Sequence, residues 1–176
     1  MSEKKVRGSL LNSYTKYIKK KWGGDGLKEC AKVIGMNPDD ISAKEWYGLE
    51  LSIKILECVN EKGGQEHIEK CGGEVLQDIG AIAYLIKLSD MGTVLKRATT
   101  QGYDSSFNFG KCSFQIIDKN NALIKLEDHS ESELMCLAWI GSIMGAMKLK
   151  KLNGKVTEKQ CQLKGAGFCE FEVHWE

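Results

Sequence analysis

The hydrophobic period of this chain changes partway along it, and that change limits the fold more than any single residue does. Up to about residue 100, apolar residues return at three- and four-residue steps. After about residue 111 they begin to alternate. Leu10, Leu11, Tyr14, Tyr17, Ile18 and Trp22 trace one helical face, while Lys16, Lys19, Lys20 and Lys21 take the solvated one. Gly23-Gly24 breaks that helix, and Leu27, Cys30, Ala31 and Ile34 begin a shorter one. Asn37-Pro38-Asp39-Asp40 reads as a turn. Ser42 with Glu45 reads as a capping box ahead of a stripe of Trp46, Leu49, Ile53 and Leu56, which stops at Gly63-Gly64. Ile68, Val75, Ile79, Ile82 and Ile86 mark a further helical run, and residues 91–98 a short one.

The second half reads as strands around one helix. Residues 112–118 and 122–127 form a hairpin across Lys119-Asn120-Asn121, and the Gly-, Ser- and Asn-rich stretch 102–110 is a connecting loop. Ser130 and Glu133 form a second capping box that opens an apolar helix over 131–149. Gly141 and Gly145 on that helix permit close packing against a sheet. Residues 155–163 and 168–175 form the last hairpin, joined across Gly165-Ala166-Gly167. The expected fold is α+β: an N-terminal helical layer packed on a four-stranded antiparallel sheet, with one helix inserted between two hairpins. One domain is expected over 1–176, mostly helical in 1–101, with the sheet and its inserted helix in 111–175.

At 176 residues, 42% hydrophobic and 28% charged, the composition is that of a globular chain. A net charge of +1 gives no basis for bulk binding to nucleic acid. The charge is uneven, with nine basic and three acidic groups in 1–36 against five and eleven in 37–90, but the early lysines read as a solvated face. The start lacks an apolar signal core, and the nearly uncharged stretch 134–147 is too short to span a bilayer, so a cytoplasmic setting is expected. Seven cysteines there should be mostly thiols.

The last strand alternates cleanly, with Cys169, Phe171, Val173 and Trp175 on the core face and Glu170, Glu172 and His174 on the other. A hairpin centred on Gly165 sets Cys161 opposite Cys169, and cross-strand Cβ atoms lie about 4.5–5.5 Å apart, close enough for two sulfurs to share one ion. Cys136 lies on the apolar face of the inserted helix, within reach of the pair. Thiolates suit a tetrahedral zinc whose fourth ligand is a carboxylate or imidazole. Glu158 is the nearest carboxylate, yet in an unbroken strand it points away from Cys161. It can serve only from a turn or bulge, and His129 is the substitute. Inert core thiols and a redox-active cross-strand disulfide are the other readings of these cysteines. Cys30, Cys58, Cys71 and Cys112 show no clustering and read as structural.

The pattern Glu158-x2-Cys161-x7-Cys169, with Cys136 upstream and a strand running Cys-Glu-Phe-Glu-Val, resembles the vinyl-4-reductase-like domain. That domain is also the effector-sensing module of phenol- and xylene-responsive transcription activators. The resemblance implies a zinc site made by Cys136, Glu158, Cys161 and Cys169. The wider group includes haem nitric-oxide-binding domains and TRAPP trafficking subunits, and implies a helical layer over a sheet with an apolar molecule or acyl chain between them. It covers 130–175 closely and the N-terminal helices in order and size only.

The resulting expectation is a ligand sensor that binds a small apolar molecule and carries a structural zinc tying the last hairpin to the inserted helix. It would act as a homodimer with a possible signalling partner and have no catalytic residue. Phe114, Ile116, Trp139 and Phe171 are the candidate pocket wall. No Gly-x-Gly-x-x-Gly follows a strand, so the family's reductase name finds no cofactor motif. A TRAPP-like assembly subunit with a filled pocket and a haem-type gas sensor are the alternatives. The latter lacks the Tyr-x-Ser-x-Arg signature, and only His67 lies well inside a helix, where polar neighbours suggest a surface role.

Overall fold

The computed structural model describes residues 3–76, 88–129 and 131–176. Ile79, Ile82 and Ile86 of the expected helical run, and Ser130 of the second capping box, lie outside the described residues.

The chain opens with strand β1 (Lys5–Arg7), followed by helix α1 (Gly8–Ile34), whose expected face buries Leu10, Leu11, Tyr14, Tyr17 and Ile18. Gly23, at φ 69°, breaks the helix at the expected glycine pair, because that backbone conformation suits a residue without a Cβ. Asn37 caps a 3-10 turn, Pro38–Asp40. Ser42 and Glu45 do not cap a helix. Instead the carbonyls of Glu45 and Ala43 accept the first N–H groups of α1, at 2.9 and 3.1 Å. Trp46 therefore lies in strand β2 (Trp46–Gly48), paired antiparallel with β1, where the Arg7 guanidinium lies 3.9 Å from its ring centroid. Satisfying the orphan donors of a long helix takes precedence here over starting a new one.

Helices α2 (Leu49–Gly63) and α3 (Gln65–Glu74) join at Gly64, φ 72°. Asp90 caps α4 (Met91–Arg97), its carboxylate accepting from Thr93 N–H at 2.8 Å. Part of the expected loop is helical: a π turn (Ala98–Gly102) runs into α5 (Tyr103–Ser106), where Ser105 and Ser106 donate to the Gly102 carbonyl.

The sheet has the expected four antiparallel strands, in the order β3-β4-β6-β5: β3 (Lys111–Ile116), β4 (Asn121–Glu127), β5 (Gly154–Gln160) and β6 (Cys169–Trp175). Cross-strand pairs run in rows over the inner face, such as Cys112, Leu126 and Cys169, and Phe114, Ile124 and Phe171. Helix α6 (Glu133–Leu149), capped by Ser132, is inserted between the hairpins. Its glycines correct one expectation: they meet helix α3 and not the sheet. A Cβ on Gly141 would run into the Glu69 carbonyl, one on Gly145 into Gly73, and one on Gly72 into Ala138. Ser142 closes the seam by donating to the Gly72 carbonyl at 2.9 Å. One side of α6 thus packs with the helical core through Met135 and Ala138, and the other with the sheet core through Cys136, Ile143, Ala146 and Met147. An apolar helix buried on both sides needs no polar stripe.

Candidate metal centre and the histidine relay beside it

Strand β5 pairs with β6 in regular register from Gly154↔Trp175 to Glu158↔Phe171, then slips, so that Gln160 faces Glu170. Lys159 is the extra residue of this bulge. The bulge removes the parity objection: Glu158, opposite Phe171, already faces inward, and the extra residue returns Cys161 to the same face. The chain then enters a 3-10 turn (Gln162–Lys164) and reverses at Gly165, φ 91°.

Three thiols and a carboxylate meet beneath this turn. Cys161 Sγ lies 3.9 Å from Cys136 Sγ and 3.7 Å from Cys169 Sγ, and one donor atom from each of Cys136, Glu158, Cys161 and Cys169 falls within 4.8 Å of all the others. In a tetrahedral site with metal–thiolate bonds of about 2.3 Å, sulfurs stand roughly 3.8 Å apart. Cys169 also accepts the Gln162 N–H at 3.2 Å. Burial raises the Cys161 thiol above its ordinary value, and Cys169 and Glu158 raise it further. Glu158 Oε2 lies 3.6 Å from Lys164 Nζ, while Glu158 Oε1 is buried with no hydrogen-bond partner among the described residues. A buried carboxylate oxygen left so is costly, and its position beside three thiols suits a cation.

His129, the substitute ligand, does not join the thiols. It is fully buried among Tyr103, Phe107, Phe109 and Trp139, with both ring nitrogens engaged. Trp139 Nε1–H donates to Nε2 at 2.7 Å, so that nitrogen carries no proton. Nδ1–H then donates to the Tyr103 hydroxyl at 2.8 Å, and the hydroxyl donates to the Phe109 carbonyl at 3.0 Å. Burial, with the nearby Lys4 charge, lowers the imidazole pKa to about 3, which keeps the ring neutral. No local pattern in the sequence signals this relay, because its members are scattered over two helices and two separate loops.

His67 is half-buried and not at the surface, held between α1 and α3 by a 2.7 Å hydrogen bond to Tyr17 and by the Trp22 ring. His174 lies on the outer face of β6, as expected, bonded to Asn121 at 2.8 Å. Of the candidate pocket residues, Phe171 is fully buried, Phe114 and Trp139 are half-buried and Ile116 is 43% exposed. Neither of the two cavities described, between α1 and α2 and beside the Asn37–Asp39 turn, is lined by any of the four.

The fold is that of haem nitric-oxide-binding (H-NOX) domains. An H-NOX protein from S. oneidensis in the Fe(II)NO ligation state superimposes with a TM-score of 0.76 at 14% identity, covering 97% of this chain and 99% of its own. An H-NOX protein from K. algicida, Fe(II) and unliganded, gives 0.74 at 8%, covering 97% and 96%. A point variant of Tt H-NOX gives 0.74 at 16%, covering 97% and 95%. No family model and no curated protein matches the sequence, so nothing supports the vinyl-4-reductase-like or TRAPP labels.

Zinc as the cofactor is corrected by the same comparison. Among the solved structures with this fold are H-NOX proteins in Fe(II) states and one that probes heme distortion in the H-NOX family, and none of these is named for zinc. Histidine-ligated haem, in turn, does not fit the histidines of this chain. His129 has both ring nitrogens bonded, His67 is tied to Tyr17 in a helical seam, and His174 faces away from the core. No helix among the described residues is long and apolar enough to cross a membrane.

Proposed function

We propose that this protein is a small-ligand sensor module built on the H-NOX fold. The observation that carries this reading is the end-to-end match to H-NOX domains, at a TM-score of 0.76 over 97% of the chain. The gas-sensor form of the reading draws on those relatives, whose descriptions name Fe(II) and NO. The engaged histidines weigh against a haem held in the usual way. Half-buried Phe114 and Trp139, with Ile116 at the end of β3, offer an apolar surface at which a ligand would bear on α6. Helix α6 touches both cores, so a ligand that favours one seating of it can present a different surface to a second copy or a signalling partner.

Cys136, Glu158, Cys161 and Cys169 belong to the same proposal as the site of a metal ion that ties β5 and β6 to α6. The orphaned Glu158 Oε1 is what asks for a cation there. Haemin titration of the purified chain, followed by absorbance, tests the sensor's chemistry. A shifted Soret band saturating at one haem per chain supports the gas-sensor form, and no shift beyond that of free haemin removes haem from the reading. Elemental analysis of the same preparation, beside a Cys161→Ser/Cys169→Ser variant, identifies the ion. No metal in either preparation overturns the metal site.

A further inference from the structure

The joint between α6 and β5 carries chemistry that the sensor reading does not use. The chain has seven asparagines, and only Asn153 precedes a glycine. Helix α6 ends at Leu149, Lys151 adopts φ 57°, and the chain turns through Leu152 and Asn153 into β5 at Gly154. Asn153 is exposed, and no hydrogen bond holds its side-chain amide among the described residues. Its backbone is fixed, because the Asn153 carbonyl accepts the Glu176 N–H at 2.9 Å. Backbone groups alternate in direction along a strand, so the next residue, Gly154, turns its N–H away from β6. The opposite strand agrees: Trp175, paired with Gly154, donates its own N–H to the Asn120 carbonyl on the far side. Strand β5 is at one edge of the sheet, so the Gly154 N–H points off that edge. The other asparagines lack this combination. Asn37 precedes proline, which has no N–H, and Asn60 lies within α2. The side-chain amides of Asn12, Asn108, Asn120 and Asn121 are each bonded.

We propose that Asn153 is a self-modifying site, converted by its own backbone and one water to aspartate and isoaspartate. The Gly154 nitrogen gives its proton to solvent and attacks Asn153 Cγ. The N–Cγ bond forms, the bond from Cγ to the side-chain nitrogen breaks, and that nitrogen takes a proton to leave as ammonia. One water then opens the resulting succinimide at either carbonyl. In all, one ammonia leaves, one water enters, and nothing is oxidised or reduced. Glycine suits the step because no Cβ stands in the way of its nitrogen. The packing also demands glycine, since a Cβ there would lie 2.3 Å from the His174 carbonyl and 2.5 Å from the Met147 sulfur. The isoaspartyl product adds a methylene to the backbone where α6 passes into the sheet. It also adds a negative charge between exposed Lys151 and Lys155 in the chain.

The test is ageing of the full folded chain in mildly alkaline buffer, followed by digestion at acid pH and peptide mapping. The peptide bearing Asn153 should grow heavier by the difference between water and ammonia and split into two chromatographic forms. One of these, the isoaspartyl form, should accept a methyl group from S-adenosylmethionine when an isoaspartyl methyltransferase is added. The peptides bearing the other six asparagines should keep their masses over the same period, and Asn153→Gln should abolish the gain. The proposal is overturned if the Asn153 peptide keeps its mass in the folded chain while a urea-unfolded sample gains it, because the fold then protects the site. It is equally overturned if Asn120 or Asn121 converts first. The wild-type map decides this even where the variant does not fold.

Discussion

Two buried polar clusters flank α6, and they differ in how completely they are satisfied. In the relay, Trp139, His129, Tyr103 and the Phe109 carbonyl each find a partner, so the proton order is fixed and the histidine stays neutral. In the thiol cluster, under the turn that follows β5, Glu158 Oε1 is buried without one among the described residues. The relay shows what this interior looks like when a polar network is closed by the chain alone. The thiol cluster, by that standard, leaves one carboxylate oxygen unanswered among the described residues. The relay should therefore respond to substitution and pH regardless of metal, and the cluster should respond to metal.

The largest effect is expected from His129→Ala. It removes a fully buried ring and leaves the Trp139 N–H and the Tyr103 hydroxyl short of a partner. The loss should be roughly 3–5 kcal/mol of unfolding free energy, read by urea denaturation and equal with and without added metal. A loss below about 1 kcal/mol, the scale of one ordinary hydrogen bond, would show that the relay is not the closed network described.

Acid should act on the same residue. A histidine whose folded pKa of about 3 lies below its unfolded value of 6.5 binds its proton more readily once unfolded. Its stabilisation is complete above about pH 6.5 and is lost as pH falls toward 3, at up to roughly 1.4 kcal/mol per pH unit. By about pH 5 the expected loss is about 2 kcal/mol in the wild type, and the slope should vanish in His129→Phe. A slope that survives the substitution would assign the titration to another group.

How far the two clusters could be read from sequence follows from the kind of signal each leaves. The four strands and the inserted helix were legible because period and glycine turns are local, and the alternation from Cys169 to Trp175 placed that cysteine inward. The four donors were reached through a pattern resemblance and short spacings, but the bulge at Lys159 that turns Glu158 inward leaves no residue signature. The relay was invisible, since Tyr103, His129 and Trp139 are neighbours only after folding. The Ser42–Glu45 pair misled because the motif is common and the carbonyls of that segment were needed by α1. The glycines of α6 showed that something approaches closely without showing what. Only the docking of α3 identifies it.

Removing the thiols should separate the clusters. If an ion sits among Cys136, Glu158, Cys161 and Cys169, it stabilises the fold by about 2.7 kcal/mol when present at a hundred times its dissociation constant. The Cys161→Ser/Cys169→Ser variant should lose that increment, seen as a melting temperature that no longer falls when chelator is added. The pH slope of His129 should be retained, because the relay does not share these residues. A variant as chelator-sensitive as the wild type would place the ion elsewhere.

The smallest change is Glu158→Gln, and its sign separates the two accounts of the cluster. The amide keeps the shape of the side chain but removes a charge whose Oε1 has no hydrogen-bond partner among the described residues and whose Oε2 lies 3.6 Å from Lys164 Nζ. Without metal, removing a carboxylate charge packed against three thiols should leave stability unchanged or raise it by up to ~1 kcal/mol. With metal, losing an anionic ligand should weaken the ion and lower stability relative to wild type. Opposite signs in the two conditions, measured by chemical denaturation with chelator and with the ion found in the purified protein, identify Glu158 as a ligand. The same sign in both would make it a bystander, held near the thiols by the bulge alone.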